Sequence, residues 1–405
     1  MKEYRLGDII DIKHGYAFDG DHIVQEDNGI VLVTPGNFRI GGGFQEEKCK
    51  FFTGEIPSDY VLSSGDFIVT MTDLSKEIDT LGYSAIVPTS NRTYLHNQRI
   101  GLVSFKNNEC YPGYIYFLMR THRYQRSIAN TSTGATVHHT SPSKIYVYQF
   151  FAPSYEEQQR IAEYLFSYDD LIENNQKQIK LLEEAAQRLY KEWFVDLRFP
   201  GHETTLITDG IPGGWKTAEI ADFGVIVTGK TPSTAKAEYY GGNIPFVKIP
   251  DMHNNVFPIT TEISLTKEGA ETPKNKYIPR NSLMVSCIAT VGLVNIALEE
   301  CQTNQQINSV ILHNERDLYF LYFTLKQMKD LLDGVGSNGA TMTNVNKTKF
   351  GKIPVVCPAE KLRNAFYEWC EPIFRKIENL SRNIILLQEA RDSLLPKLMS
   401  GEIEV

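Results

Sequence analysis

Cysteine is scarce in this sequence and widely scattered. The 405 residues include six cysteines, and no two lie at the short spacing of a zinc-binding pair or of a disulfide framework. We therefore expect reduced thiols, as in a cytoplasmic protein. The six are Cys49, Cys110, Cys287, Cys301, Cys357 and Cys370.

Long apolar runs are absent as well. The most apolar window, residues 283–298, contains Asn295 and is interrupted by Gly292, which predicts two buried strands rather than a membrane span. The first residues, Met1 to Arg5, lack the apolar stretch of a signal peptide. The sequence thus predicts a cytoplasmic protein without a membrane partner.

Positive charge is in deficit. The chain has 41 Lys and Arg against 49 Asp and Glu, a formal net charge of −8. Because phosphate neutralisation dominates most protein–DNA affinity, this balance argues mildly against a protein that binds nucleic acid unaided. Either DNA is not the ligand, or local basic patches and a partner supply the attraction.

Recognisable catalytic patterns are missing too. The sequence has no evident glycine-rich S-adenosylmethionine loop and no Pro-Pro dipeptide of the amino-methyltransferase type. His138 and His139 are adjacent, but no third metal ligand lies at a helpful spacing, which favours surface or loop histidines. No Ser/His/Asp or Cys/His set stands out, although such sets are spatial and one sequence does not exclude them. We interpret the chain as non-catalytic, with no catalytic, cofactor or metal site of its own.

What the sequence does contain is a second copy of itself. A polar loop returns after 205 residues (134 to 339), and Lys144 matches Lys349 at the same separation. A period of half the chain indicates two copies of one domain rather than a solenoid. The loop residues are Ser132, Gly134, Ala135 and Thr136 in the first copy and Ser337, Gly339, Ala340 and Thr341 in the second.

The copies also match at their front ends. Gly15 aligns with Gly229 at a separation of 214 residues, and Asn97-Gln98 aligns with Asn304-Gln305 at 207 (97 to 304). The falling separation means that the first copy is longer in its middle. By the front separation Trp215 matches Met1, so we expect the first copy to begin with the first residue.

One motif suggests nucleotide binding. Residues 224–231 match the phosphate-loop pattern GxxxxGK[ST] letter by letter. The residues between the two glycines favour a strand, however, and Pro232 follows where a helix is needed. The equivalent residues 10–16 of the first copy keep only the second glycine. We therefore predict a strand that ends in a glycine turn.

Two kinds of segment alternate along the chain. Residues 1–152 and 215–358 contain short β-branched and aromatic runs punctuated by Gly, Asn and Pro, which predicts strands. Residues 153–197 and 359–405 are rich in Glu, Gln, Lys and Leu and lack glycine before Gly401, which predicts long helices. A Pro/Gly-rich linker spans residues 198–214.

The long helices each carry a heptad seam, which predicts that they pair as a coiled coil. A single face of an ordinary core helix is the simpler alternative. Pro372 should kink or restart the second helix, and Ser167 at the equivalent place could cap a restarted first helix. The first seam is Ile161, Leu165, Tyr168, Ile172, Asn175, Ile179, Leu182, Ala186, Leu189 and Trp193; the second is Phe366, Cys370, Ile373, Ile377, Leu380, Ile384, Leu387, Arg391, Leu394 and Leu398.

Several polar residues are candidates for DNA contact. They fall into basic helical clusters, repeated hydroxyl loops, and segments that occupy one place in both copies but differ in content. A solvated helix face and a plain turn explain the first two groups about as well. The candidates are Thr34, Asn37, Arg39, Arg120, Arg123, Arg126, Ser132, Thr133, Thr136, Lys230, Thr231, Lys248, Asp251, His253, Lys326, Lys329, Ser337, Asn338 and Thr341.

These features together resemble the specificity subunit of a type I restriction–modification system. The resemblance covers nearly the full length and depends on the order domain, helix, domain, helix. It also depends on the openings at residues 6–9 and 212–215, the start of the first long helix at 156–161, the Asn-Gln pairs and the ending at 391–403. No single one of these motifs is decisive.

The resemblance implies an α+β fold with a pseudo-two-fold internal repeat. Two β-rich target-recognition domains would be separated by two long antiparallel helices that form a coiled coil. Each domain would read one half of a bipartite double-stranded DNA site, and the helices would set the gap between the halves. The helices would also dock two methylation subunits, which bind S-adenosylmethionine, and restriction subunits would join them.

Two other functions remain open from the sequence. One is an enzyme, either a self-contained DNA methyltransferase or a P-loop NTPase in which Lys230 binds nucleotide. The other is a coiled-coil assembly protein without a role on DNA. Nucleotide binding by the isolated chain that Lys230→Ala abolishes would favour the enzyme. A reconstituted complex that prefers no DNA sequence would favour the assembly protein.

Overall fold

Contacts along the chain divide it into two units. The computed structural model describes residues 1–134, 136–336 and 344–405. Unit 1 comprises Met1–Leu171 and Leu387–Val405, and unit 2 comprises Ile172–Leu386. The domain boundaries predicted from sequence separate β-rich segments from helical segments, not groups of residues in contact, and those boundaries stay a prediction.

Unit 1 is built on two sheets. A four-stranded antiparallel sheet has the order β2-β11-β7-β9, and a five-stranded sheet has the order β3-β5-β4-β10-β6 with β4 and β10 parallel. Two-stranded ladders join β1 to β13 and β8 to β12. The strands are β1 (Lys2–Arg5), β2 (Ile10–His14), β3 (Ile23–Val24), β4 (Ile30–Val33), β5 (Lys50–Phe52), β6 (Val61–Leu62), β7 (Phe67–Thr70), β8 (Thr72–Asp73), β9 (Ser84–Ile86), β10 (Thr93–His96), β11 (Ile100–Phe105), β12 (His138–His139) and β13 (Gln149–Ala152).

Five α-helices begin within the described residues of unit 1. Pro occupies the first helical turn of two of them, where its missing N–H leaves no bond unmade. They are α1 (Leu6–Ile9), α2 (Pro112–Leu118), α3 (His122–Asn130), α4 (Pro142–Tyr146) and α5 (Tyr155–Tyr190), and α5 is followed by a π-turn at Lys191–Val195.

Unit 2 repeats the four-stranded sheet, here in the order β17-β23-β20-β21, and has a smaller second sheet, β19-β18-β22. Its strands are β14 (Ile207–Thr208), β15 (Ile211–Pro212), β16 (Lys216–Glu219), β17 (Gly224–Thr228), β18 (Tyr240–Val247), β19 (Ile263–Leu265), β20 (Leu283–Ser286), β21 (Val294–Ile296), β22 (Gln302–Thr303), β23 (Ile307–Leu312) and β24 (Pro354–Cys357). Its helices are α6 (Ile220–Phe223), α7 (Ile249–Met252), α8 (Lys267–Glu271), α9 (Leu318–Gln327), α10 (Lys329–Gly336), α11 (Lys347–Gly351) and α12 (Glu360–Ser400).

The internal repeat predicted from sequence is confirmed element by element. The front pair β2 and β17 begins at Ile10 and Gly224, which keeps the separation of 214 residues. The pair β11 and β23 begins at Ile100 and Ile307, a separation of 207 (100 to 307). The two apolar runs around Gly292 form the buried strands β20 and β21, as predicted.

The long helices pack against each other within each unit. In unit 1, Ile161 and Leu165 of α5 share a core with Leu395 and Leu398 of α12. In unit 2, Tyr190 of α5 and, from the π-turn that follows it, Trp193 share a core with residues of α12, including Phe366. Early residues of one helix meet late residues of the other in both units, so the predicted antiparallel pairing is confirmed there.

The predicted helix restarts at Pro372 and Ser167 are wrong, whereas a kink at Pro372 stays a prediction. The second helix runs without a break through Pro372, which is exposed, and Ser167 lies inside α5. Ser167 donates from Oγ to the carbonyl oxygen of Tyr164 at 2.6 Å, a bond that the middle of a helix offers. Packing of the buried face on both sides of Pro372 holds the helix where local propensity would end it. None of the described helices is long and apolar enough to cross a membrane.

Candidate nucleic-acid interface

The repeated sequence motifs gather at one edge of the four-stranded sheet in unit 1. Strand pairing places the end of β2, the start of β11 and the end of β7 side by side. The ladder of β8 with β12 extends this edge. We call it the motif edge. It is defined in unit 1 by residues 14–16, 70–73, 96–99, 132–134 and 136–140, and in unit 2 by residues 228–231, 286–292, 303–306 and 344–346.

Backbone hydrogen bonds join the separate stretches of the motif edge of unit 1, and three of them have counterparts in unit 2. Tyr16 N–H donates to the carbonyl oxygen of His96 at 2.8 Å, and Met71 N–H donates to that of Arg99 at 2.9 Å. Thr140 N–H donates to the carbonyl oxygen of Met71 at 3.0 Å. Four separate stretches of chain are thereby fixed beside one another.

The same three bonds recur in unit 2. Lys230 N–H donates to the carbonyl oxygen of Thr303 at 2.9 Å, and Cys287 N–H donates to that of Gln306 at 2.8 Å. Val345 N–H donates to the carbonyl oxygen of Cys287 at 2.9 Å. The two copies therefore build one architecture at this edge, although their side chains there differ.

The repeated glycines are explained by close approach of the backbone. A Cβ atom on Gly15 would lie 2.2 Å from the carbonyl oxygen of Asn97, and one on Gly229 would lie 2.2 Å from that of Asn304. Such distances are far inside van der Waals contact, so these positions require glycine. The predicted strand at residues 224–228 is confirmed, since β17 ends at Thr228, and no α-helix follows Thr231 directly; the turn predicted at Gly229 stays a prediction.

In both copies the asparagine of the Asn-Gln pair fixes a turn and the glutamine is exposed. The Asn97 side chain accepts from Arg99 N–H at 3.0 Å, and the Asn304 side chain accepts from Gln306 N–H at 3.1 Å, which fixes a turn. The following residues, Gln98 and Gln305, are exposed. The two glutamines are absent from the DNA-contact residues predicted from sequence, although the repeat of the Asn-Gln pairs was visible there.

Some predicted contact residues do lie at the motif edge. Lys230, Thr133 and Thr136 are exposed there, while Thr231 and Ser132 are partly buried. Thr231 Oγ1 donates to Gln305 Oε1 at 2.8 Å. The edge thus presents amide, hydroxyl and ammonium groups, which are the groups that bind base edges and phosphates. Ser337, Asn338 and Thr341, together with Ala135, lie outside the described residues.

Two predicted base readers, Asn37 and Asp251, cap turns. Asn37 is fully buried, and its Oδ1 accepts from Thr34 N–H at 2.8 Å. Asp251 Oδ2 accepts from Lys248 N–H at 2.8 Å in the equivalent turn. Both side chains satisfy a backbone donor at the end of a strand. Because Asn37 has no exposed surface, the prediction that it faces a base is wrong. Asp251 is partly buried, and its contact with a base stays a prediction.

The other DNA-contact candidates on these turns differ in exposure and in ion pairing. Lys248 Nζ is paired with Glu262 at 2.7 Å. His253 is exposed, and Thr34 and Arg39 are partly buried. These four residues lie outside the motif edge as defined above.

The predicted basic cluster on one helix is divided by the fold. Arg123 and Arg126 are exposed on α3, but Arg120 is only 4% exposed. Arg120 forms an ion pair with Asp169 and donates to the carbonyl oxygen of Gly41 at 3.0 Å. Because its charge is paired inside the protein, the prediction that Arg120 meets a phosphate is wrong.

Unit 2 shows the same division. Lys326 is paired with Glu183, whereas Lys329 is exposed at the start of α10. Lys326 is partly exposed, so burial separates the two lysines less sharply than it separates Arg120 from Arg123. Each copy therefore has one cation of the predicted DNA-binding set in an ion pair, and contact of the partly exposed Lys326 with DNA stays a prediction.

Asp169 links both long helices to the first domain copy. Its Oδ1 accepts from Arg391 Nη1 at 2.6 Å, and its Oδ2 accepts from Arg120. Burial acts to raise the pKa of Asp169, but the two guanidinium groups outweigh it and hold that pKa below its ordinary value. Arg391, the polar residue of the second heptad seam, therefore belongs to an ion-pair cluster with Asp169 and Arg120 in unit 1.

Comparison with known proteins identifies the family. The family model for the type I restriction modification DNA specificity domain matches residues 1–184 and 212–388. The HindI specificity subunit of Haemophilus influenzae is 31% identical over 394 residues, covering 79% of this chain and 86% of that protein. The MjaIX specificity subunit of Methanocaldococcus jannaschii is 27% identical over 303 residues, covering 72% of this chain and 69% of that one.

A solved structure shares the fold. The S subunit of the type I restriction–modification system of M. genitalium has a TM-score of 0.57 and 13% identity, covering 98% of this chain and 95% of that chain. The specificity-domain matches fall on the two copies of the repeat, so each copy is one specificity domain. The chain belongs to the family of type I restriction–modification specificity subunits.

Proposed function

We propose that the motif edge of each unit contacts the bases of one half of a bipartite DNA site. The observation that supports this proposal is the recurrence of the same three backbone hydrogen bonds around side chains that differ between the copies. A common architecture with different side chains is what two readers of different sequences need. The complex thereby gains a DNA sequence preference from this chain.

The exposed glutamines are the residues we assign to base contact. A glutamine amide offers one donor and one acceptor, which match the major-groove edge of adenine through paired hydrogen bonds. Gln98 and Gln305 occupy equivalent places next to an asparagine that fixes the turn. Lys230 and Thr133, exposed on the same edges, suit contact with the backbone phosphates.

The names of the relatives lead to the partners that we propose. Those proteins are named specificity subunits of restriction enzymes, so this chain would assemble with catalytic subunits rather than carry out chemistry itself. We propose two methylation subunits, which hold S-adenosylmethionine, and further restriction subunits. Assembly on double-stranded DNA would take place in the cytoplasm.

Reconstitution with the methylation subunits tests the proposal. Methylated adenines would be mapped for the wild-type complex and for the variants Gln98→Ala and Gln305→Ala. Each variant should relax one half of the recognised sequence and leave the other half unchanged. Gln25→Ala, an exposed glutamine away from the motif edge, is the matched control. A complex without any sequence preference would contradict the proposal.

The spacing role of the helices stays a prediction. Sequence analysis assigns the gap between the two half-sites to the long helical segments. Lengthening both segments by four residues, about one helical turn, should alter the number of unread base pairs and leave the bases read unchanged. The same map of methylated adenines measures both quantities.

A further inference from the structure

A surface cavity in unit 1 brings together two cations from different elements. The cavity has a volume of about 340 Å³ and is lined by Arg123, Ser127, Thr131, Lys144, Tyr148 and Gln149, among others. Arg123 comes from α3, and Lys144 comes from α4. Guanidinium, ammonium, hydroxyl and amide groups therefore face one space, and all four groups bind phosphate oxygens.

The two cations of this cavity have no acidic partner in the part of the chain that the structure describes. Among the described residues, neither Arg123 nor Lys144 forms a salt bridge, whereas Arg120 on the preceding turn has Asp169. Lys144 Nζ donates to the carbonyl oxygen of Thr131 at 2.6 Å, which holds the ammonium at the cavity wall without neutralising it. Two uncompensated cations at one cavity make it a site for an anion.

The cavity adjoins the motif edge. Thr131, which accepts from Lys144, is followed directly by the loop at residues 132–140. Thr133 and His139 of that loop exchange backbone hydrogen bonds of 3.0 and 2.8 Å. An anion in the cavity would therefore lie beside the residues that we assign to DNA.

The second copy keeps positive charge at both positions. Lys349 follows Lys144 by 205 residues (144 to 349) and lies on α11, the counterpart of α4. Lys329 follows Arg123 by 206 residues (123 to 329) and begins α10, the counterpart of α3. A Cβ atom on Gly292 would lie 2.8 Å from Lys329 Cγ, so this lysine also borders the motif edge.

We propose that the cavity of Arg123 and Lys144 binds a phosphate group of the DNA backbone, and that Lys329 and Lys349 do the same in the second copy. This inference rests on the proposed function and adds the positioning contact that the base readers need. Phosphate contacts fix the register of a protein on the duplex and carry no sequence information. They also explain how a chain with a net charge of −8 attracts DNA at defined points.

Salt titration of DNA binding tests this site. Wild-type and R123Q/K144Q chains would be assembled with the methylation subunits and titrated with a duplex containing the recognised site and with an unrelated duplex. Loss of one phosphate contact should weaken binding to both duplexes by a similar factor and reduce the slope of log K against log salt by about 0.9. K329Q/K349Q should act in the same way.

A charge-matched control separates local from general electrostatics. K267Q/K274Q also removes two positive charges, from exposed residues outside both the cavity and the motif edge, and should leave the slope unchanged. Thermal unfolding of each variant would verify that it folds. An equal change of slope in the control and in R123Q/K144Q would overturn the proposal.

The remaining outcomes are equally decisive. A wild-type slope and affinity in R123Q/K144Q would overturn the phosphate site while leaving the proposed function intact, provided that the wild type prefers its site. Relaxed sequence preference with an unchanged slope would assign the cavity to base reading instead. Inorganic phosphate that binds the wild-type chain but not R123Q/K144Q, with DNA binding unaffected, would assign the cavity to a small phosphorylated ligand.

Discussion

The two domain copies are attached to the first long helix by similar but unequal contacts. In unit 1, Arg120 is paired with Asp169 of α5, and only 3% of the Arg120 side chain is exposed. In unit 2, Lys326 is paired with Glu183 of the same helix, and 33% of the Lys326 side chain is exposed. Arg391 joins the first contact as a second cation.

The cations of the two ion pairs occupy equivalent positions of the repeat, but the acids do not. Arg120 and Lys326 are equivalent positions, and so are Tyr116 and Tyr322, whose hydroxyl groups join the respective contacts. By the repeat separation of 205 residues, the partner of Asp169 would be Phe374 (169 to 374). The cation and the tyrosine that face the long helix are therefore common to both copies, whereas the acid that pairs with the cation lies at a different helix position in each copy.

The largest effect should come from removing the buried acid. Asp169→Asn leaves Arg120 without its counter-charge inside the protein, which should lower the free energy of unfolding of unit 1 by about 3–5 kcal/mol. Glu183→Gln, the matched change in unit 2, should cost about 1 kcal/mol, because its partner is better solvated. Urea unfolding of the full chain measures both, and equal losses would refute the comparison.

The next largest effect should follow substitution of the repeated glycines. Gly15→Ala and Gly229→Ala each force a methyl group against a carbonyl oxygen 2.2 Å away, which should cost about 1–3 kcal/mol or distort the motif edge. Each variant should also weaken recognition of one half-site in the map of methylated adenines. Gly20→Ala is the control, since nothing lies within 4 Å of its added Cβ.

A smaller effect is expected at the two turn caps. Asn37→Ala and Asp251→Ala each remove the acceptor of a backbone N–H group, at a cost of about 1 kcal/mol. Thermal unfolding would record this loss. Sequence preference should remain, because both side chains are engaged by backbone N–H groups of the protein. A changed methylation pattern with unchanged stability would identify them as base readers.

The smallest effect is expected from mild acid. The pKa of Asp169 lies below its ordinary value, so its contribution to stability is complete above the unfolded value of 3.8 and is lost as the pH falls through the folded value. The difference in unfolding free energy between wild type and Asp169→Asn should stay constant from about pH 7 to 5 and shrink only at lower pH. A difference that already shrinks near pH 6 would assign it to another group.

Much of the fold was predictable because local sequence patterns determine its strands and long helices. The β-branched runs became the strands of the four-stranded sheets, and the heptad spacing became α5 and α12. The repeat separated these elements into two copies without any three-dimensional information. The helix restarts predicted at Ser167 and Pro372 are wrong because packing along helices of 36 and 41 residues outweighs a single weak residue in each.

The candidate site was only partly predictable, because burial of a polar side chain is decided by distant partners. Asn37 and Arg120 have residue types that suit DNA, yet the first caps a turn and the second pairs with Asp169, 49 residues away (120 to 169). Gln98 and Gln305 could have been found, since they follow a repeated asparagine and neither belongs to a strand.

The sequence by itself determined the duplication, the alternation of strand and helix segments and the family, because these depend on spacing along the chain. Only the tertiary structure decided which polar groups face outward and which stretches meet. Residues 71, 99 and 140 become neighbours through backbone hydrogen bonds that no local pattern encodes, since every amino acid carries the same backbone groups.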